Sequence, residues 1–469
     1  MNFISIQFLI FGIITIIIYW TLRDRFKTSV LLIASYIFYC FWDWRFTALL
    51  AFLTVSNFFL TRAMHQTQSS QFKKRLLAAC LSQNLLVLFV FKYFNFFTDG
   101  AQRVFDFMGL NLDLPTIKVL LPLGLSFFIF QTSSYIIDVS RGTILPQKSF
   151  MNFATFVVYF PHMAAGPIMP AKVLLPQISA KKEVPSFENV QSALFLIVIG
   201  LFRKIVLADT LAPVVNRILD HQSAFDWRSI FLASIGFGLQ IYGDFAGYSS
   251  IARGVSRLFG IEMMVNFRQP YLSTSSTDFW RRWHISLSSW FRDYLYIPLG
   301  GNRGAPYRTY LNLLIVMLVA GLWHGAAFGF LFWGFLHGIF LVVNKKFRGS
   351  KGRSRKRLIA FITSSFGWII TQICVFFAWV FFRNSDMSQA LTLLNSIIQR
   401  NGGTFDESDG LLVLGALILS FSLDFSEIYL GPKLRNTNSL VKGLVLGAFL
   451  VVIFTMKSSS VVPFIYFRF

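Results

Sequence analysis

Long apolar runs, rather than a two- or 3.6-residue alternation, organise this chain. They lie near residues 3–20, 28–42, 46–61, 76–97, 118–137, 150–169, 190–207, 229–252, 309–343, 359–382, 410–423 and 440–456. A helix needs roughly 20 apolar residues to span a bilayer, and most of these runs approach that length. With allowance for split and re-entrant segments, they predict about eleven to thirteen membrane-embedded helices in an all-α polytopic membrane protein. The halves show no internal repeat and no polar stretch is long enough for a soluble domain, so residues 1–469 read as one membrane-embedded domain.

The run 309–343 carries the most information. From Tyr310 to Val343 it has no Asp, Glu, Lys or Arg, yet it keeps His324 inside "VAGLWHGAAFG". Ahead of it, residues 253–308 include Arg253, Arg257, Arg268, Arg281, Arg282, Arg292, Arg303 and Arg308. Behind it, "KKFRGSKGRSRKR" (Lys345 to Arg357) holds eight basic residues and no acidic one. Basic loops stay cytoplasmic, so both flanks fall on one side and a single crossing is excluded. At about 1.5 Å per residue the run makes roughly 52 Å of helix, enough for two short passes of a core of about 30 Å. The expected break is "GLWHGA", beside Gly321 and Gly325, which places His324 at interrupted backbone. Such backbone is tolerated at membrane depth only where protein buries it or a cavity runs along it.

The same charge rule orients the start. No charge precedes Arg23, whereas "RDRFK" follows the first run, so the N-terminus is expected outside and residues 23–27 in the cytoplasm. The first run has no basic leader and no small-residue cleavage site, and reads as a retained helix.

Composition then removes alternatives. Charged residues make up 14% of the chain, against about a quarter in soluble domains. The net charge of +22, from 43 Lys+Arg and 21 Asp+Glu, is explained by topology and contact with anionic lipid, and no nucleic-acid partner is expected. Cys40, Cys80 and Cys374 stand far apart without a CxxC pair, which supports neither a metal site nor a disulfide framework. GxSxG, HExxH and P-loop patterns are absent from the sequence.

An ionisable residue in a membrane segment is a functional-site hypothesis by default. His324 can sit neutral and exchange protons near pH 7; a packing histidine bonded to a carbonyl is the alternative. His284 lies in "STDFWRRWHISLSSWFRDYLYIPLGGNRG" among Trp280, Trp283, Trp290, Arg281, Arg282, Arg292 and Arg303. That segment reads either as an interfacial anchor or as a cytoplasm-facing pocket for an anionic group such as a phosphate-bearing acyl carrier. Composition leaves both open. Asp244, in "QIYGDFAGYSSIARG", is expected to pair with Arg or His, or to serve an ion path. His162 belongs to the proline-broken, re-entrant-looking "YFPHMAAGPIMP". His337 falls about 220° round an ideal helix from His324 and is expected off its face, while His65 and His221 read as loop residues.

Together with "SYIIDVSRG", "NFRQPYL", "FFAWVFFRNSDMSQA" and the terminal "FIYFRF", these motifs in this order resemble the membrane-bound O-acyltransferase family. The nearest branch is that of the alginate O-acetylation proteins. The resemblance implies a helical bundle enclosing a tunnel, with core motifs within 120–345. His324 matches the family's intramembrane histidine and His284 its second motif histidine, the two catalytic candidates. Asp244, Tyr242, Trp323, Arg281 and Arg282 are the candidates for the substrate path. By the same resemblance, an acyl group, acetyl in this branch, arrives as a cytoplasmic thioester on acetyl-CoA or an acyl carrier and crosses towards an extracellular polysaccharide. No bound cofactor or metal is implied. Implied partners are the lipid bilayer, a periplasmic SGNH-type acetyltransferase and polysaccharide-export proteins, at a bacterial inner membrane. Three other readings stand beside it: D-alanyl transfer to teichoic acid, as in a related branch; a transporter or flippase with Asp244 and His324 as proton relay; and a non-catalytic scaffold of a polysaccharide-export complex, which would leave His324 without a role. The lack of repeated halves speaks against the transporter. Small departures from the branch pattern are His162 and Met163 in the FPxxxAGP stretch and Arg468 in the tail.

Overall fold

The computed structural model describes residues 2–110, 112–117, 120–163, 166–348, 357–457 and 462–468. Among these residues the regular structure is helical, apart from an isolated bridge between Phe225 and Thr404. Among the described residues, eight helices are long and apolar enough to cross a membrane, including Asp24–Gln66, Phe187–Asp220, Trp227–Leu258 and Glu407–Tyr429. Several present large apolar side chains outward, such as Leu444, Val451 and Phe454 on Ser439–Met456. In water such faces would cost about 25 cal/mol per Å²; against lipid tails they are in their own medium.

The pattern placed most helices, and its errors have local causes. The runs 28–42 and 46–61 belong to one helical stretch, Asp24–Gln66, bent where Asp43 leaves helical geometry at φ −161° and ψ 113°. The Asp43 carboxylate there accepts from the Arg45 backbone N–H at 3.0 Å, the local bonding by which Asp competes with a helix. The first run forms Ile6–Thr21, only 16 residues, or about 24 Å, capped by Ser5. Within the run 118–137 the helix Leu125–Ser140 begins after Gly124 at φ 67°. A Cβ on Gly124 would strike the Met163 carbonyl oxygen, so the turn needs glycine twice over. In the basic stretch after the 309–343 run, residues 349–356 lie outside the described residues.

The chain forms two compact units. The first comprises Met1–Leu194 and Ala252–Met264. Its helices are tied by a buried polar seam: Asn57 Nδ2 donates to Asn84 Oδ1 at 3.0 Å, and Asn84 Nδ2 to Ser133 Oγ at 3.4 Å. Such bonds contribute about 0.6 kcal/mol each between membrane helices. Buried His162 belongs to this unit, on the short helix Phe160–Met163, with its ring 5.8 Å from that of Tyr159.

The second unit comprises Phe195–Ile251 and Val265–Phe469. Here the 309–343 run folds as an antiparallel hairpin of Pro306–His324 and Phe328–Arg348, broken at Gly325 as the sequence predicts. Glycines set its closeness. A Cβ on Gly321 would meet the Phe330 carbonyl oxygen, and one on Gly334 the Met317 carbonyl oxygen. This is the small-residue packing that lets membrane helices approach backbone to backbone.

Candidate active site

His324 is the last residue of its helix and is 4% exposed. Aromatic rings surround its imidazole, among them Trp323 at 5.0 Å, Trp333 and Phe382 each at 5.1 Å, and Tyr466 at 5.8 Å, centroid to centroid. The helix break does the placing. Trp333 sits early on the returning helix, so it meets His324 only because the chain reverses at Gly325.

His284 is reached by a second break. Residues 276–296 do not form one interfacial helix; Ser276–Arg282 and Ile285–Phe291 flank His284, which is left-handed at φ 43°. Few side chains tolerate that region, and His is among those enriched there. Asn266 pins the turn: its carbonyl accepts from Ile285 N–H at 2.9 Å and its Oδ1 from Ser286 N–H at 3.2 Å. The imidazole is 0% exposed and packs on Phe245 at 4.7 Å, 5.9 Å from Trp323 and 6.4 Å from His324. Burial pushes it down to about 3, so it is neutral at physiological pH.

The anchor reading therefore fails for the centre of this segment. Trp283 is buried and stacked on Phe279 at 5.6 Å, because the break turns it inward. The arginines stay out of the ring cluster: Arg281 is exposed, and Arg282 pairs with Asp278 at 3.0 Å along its own helix.

Other candidates are placed as follows. Trp323 lies beside both histidines. Tyr242 donates its hydroxyl to Asp424 at 2.8 Å, and Asp424 also takes Arg203 at 3.3 Å, so Tyr242 is part of a buried ion network. Asp244 pairs with Lys204 at 3.0 Å, a cation the sequence pattern does not name for it. Its other oxygen accepts from the Ile465 N–H at 2.6 Å. The 220° offset of His337 presumes an unbroken helix; with the reversal the Trp333 ring contacts both His324, at 5.1 Å, and His337, at 4.8 Å. His337 Nδ1 accepts from Trp280 Nε1 at 3.3 Å. His65 lies in the last turn of Asp24–Gln66 rather than in a loop.

Sequence reasoning passed over Lys204, Trp333, Phe382 and Tyr466. Lys204 carried a usable signal, an ammonium inside the 190–207 run, of the same kind that singled out Asp244. The aromatic walls carried none, since the chain has 56 phenylalanines and 11 tryptophans. Chemically, two buried imidazoles in an aromatic enclosure can accept and return a proton while water is kept from competing. Among the described residues no group of three or more His, Cys, Asp or Glu is arranged to hold a metal ion.

Comparison with known proteins gives this site a context. The model of the MBOAT, membrane-bound O-acyltransferase family, matches residues 37–382, a span that includes His284 and His324. The chain is 34% identical to a probable alginate O-acetylase of Pseudomonas putida, over 96% of each protein. It is 33% identical to a peptidoglycan O-acetyltransferase of Helicobacter pylori, over 79% of this chain and 74% of that one. A teichoic acid D-alanyltransferase of Streptococcus thermophilus is 32% identical over 47% of this chain and 56% of its own.

Proposed function

This chain belongs to the membrane-bound O-acyltransferase family and is a multi-pass O-acyltransferase; from that premise we propose that it transfers acetyl groups from a cytoplasmic thioester to an acceptor hydroxyl for O-acetylation of an extracellular polysaccharide such as alginate. The observation that carries the reading is the pairing of buried His324 and His284, ring centres 6.4 Å apart, inside the span matched by the family.

In the proposed reaction the thioester is acetyl-CoA or an acetylated carrier, entering from the cytoplasmic side. His324 takes the proton of the acceptor hydroxyl as its oxygen attacks the thioester carbonyl. The C–O bond forms, the C–S bond breaks, and the proton passes from His324 to the leaving thiolate. General-base help of this kind contributes typically 10²–10⁴-fold. His284, kept neutral by burial, shapes the opposite side of the pocket. The aromatic enclosure limits hydrolysis of the thioester. The acceptor is a sugar hydroxyl or a serine of a periplasmic SGNH-type partner working with polysaccharide-export proteins, at a bacterial inner membrane with the N-terminus outside.

Acetyl is favoured over D-alanyl by extent of likeness: the acetylase relative matches end to end, and the D-alanyltransferase over about half of this chain. Reconstitution into vesicles with radiolabelled acetyl-CoA, then with labelled D-alanyl carrier protein, tests the choice. The proposal requires label from acetyl-CoA in an added acceptor polysaccharide or partner protein. Transfer from the D-alanyl carrier alone would overturn the acetyl assignment, and movement of intact solute without covalent transfer would overturn the enzyme.

A further inference from the structure

Lys204, Asp209 and Asp244 form a charged cluster in the interior of the second unit. The Lys204 side chain is 0% exposed, with its Nζ 2.6 Å from Asp209 and 3.0 Å from Asp244. Burying such charges costs several kcal/mol per ion even after relaxation, and a well-packed apolar substitute is often as stable. The cluster therefore calls for a reason other than stability. Two of its further bonds supply one. Lys204 Nζ donates to the Val462 carbonyl at 3.2 Å, and Asp244 accepts from the Ile465 N–H at 2.6 Å. Both are main-chain groups of the C-terminal tail, more than 200 residues away in sequence.

The chain is built to bring this cluster together. Residues Arg203–Asp209 form a π-helical turn, a widened turn found mostly at functional sites, and Lys204 reaches Asp209 across it. Gly247 then allows the helix carrying Asp244 to close on the backbone of this segment, since a Cβ there would lie 2.7 Å from the Gly200 carbonyl oxygen and 3.0 Å from the Lys204 main-chain nitrogen. With the main chain fixed, aromatic stacking sets the register: Phe464 lies on Tyr248 at 4.3 Å and Tyr466 on Phe245 at 4.4 Å. Phe245 also contacts His284, and Tyr466 faces His324.

We propose that Lys204 and Asp244 are positioning residues that clamp the main chain of the C-terminal tail, so that Tyr466 completes the wall of the histidine pocket. Asp244 is thereby a latch and not a proton relay. The effect on transfer rests on the function proposed above; the clamp itself does not, and the test separates the two.

The test uses full-length protein with Cys40 and Cys374 changed to serine, Ile465→Cys added, and buried Cys80 of the first unit kept as a folding control. Maleimide labelling of purified protein is compared with and without Lys204→Met or Asp244→Ala. Labelling at position 465 should rise at least about tenfold while Cys80 stays protected. In transfer assays each substitution should lower kcat by on the order of 10²-fold, the scale of misplacing a site wall by about 1 Å, with donor KM unchanged. In a chain ending at residue 461 the same substitutions should cost nothing more, the non-additivity expected of groups that act as one. Continued protection at 465, exposure of Cys80 to the same degree, or a further loss in the shortened chain would each overturn the clamp. Release of the tail without any transfer by the parent protein would uphold the clamp and sink the acyltransfer reading alone.

Discussion

His284 and His324 lie with ring centres 6.4 Å apart, yet each gets there through a separate interruption of helix. One is the left-handed residue between two short helices, the other the last residue before a chain reversal. Interrupted backbone inside a membrane protein is costly unless packed or bonded. Here Asn266 and a shell of aromatic rings meet that requirement.

The left-handed turn makes a direct prediction. A branched side chain at φ 43° is a steric outlier, whereas Asn tolerates it. His284→Val should unfold more readily than His284→Asn, by about 1–2 kcal/mol, in thermal melts of detergent-solubilised protein. Equal melting would mean that the turn relaxes at little cost.

A pH dependence follows from the same residue. His284 is held at about 3 when folded and returns to about 6.5 when unfolded. Between those values the unfolded chain binds more protons, so this contribution is complete above about pH 6.5 and is lost as pH falls towards 3. The loss is at most about 1.4 kcal/mol per pH unit. His284→Asn lacks it, so the stability gap between native protein and variant should shift in the variant's favour from pH 7 to pH 5. Parallel pH profiles would contradict the buried, neutral imidazole.

The hairpin that carries His324 is equally exposed to test. Gly321→Ala and Gly334→Ala each push a methyl group into facing backbone, at a cost of about 1–3 kcal/mol. Gly443→Ala, on an open face with nothing within 4 Å, should be silent. Unfolding midpoints of the three variants decide this, and a silent Gly334→Ala would disprove the tight crossing.

What the sequence revealed and hid follows from range. The reversal at Gly325 was legible because charge counts on both flanks forbid a single pass, a constraint that needs no contacts. His324 was legible as an ionisable group in a charge-free run. The inward turn of Trp283 was not, because an amphipathic pattern with three tryptophans describes an interfacial helix equally well until the break at His284 is seen. Asp244 was found but its lysine partner was not, since pairing across 40 residues depends on a π turn and on Gly247. The approach of Tyr466 to His324 spans 142 positions (466 − 324) and leaves no local trace.

The central claim is that His324 is the base of an acyl transfer. The direct measurement is single-turnover transfer of radiolabelled acetyl from acetyl-CoA to the acceptor in vesicles, comparing native protein with His324→Ala and His324→Gln. Both variants should remain folded and bind donor, yet transfer on the order of 10²–10⁴-fold more slowly. Transfer by either variant at the native rate would contradict the account.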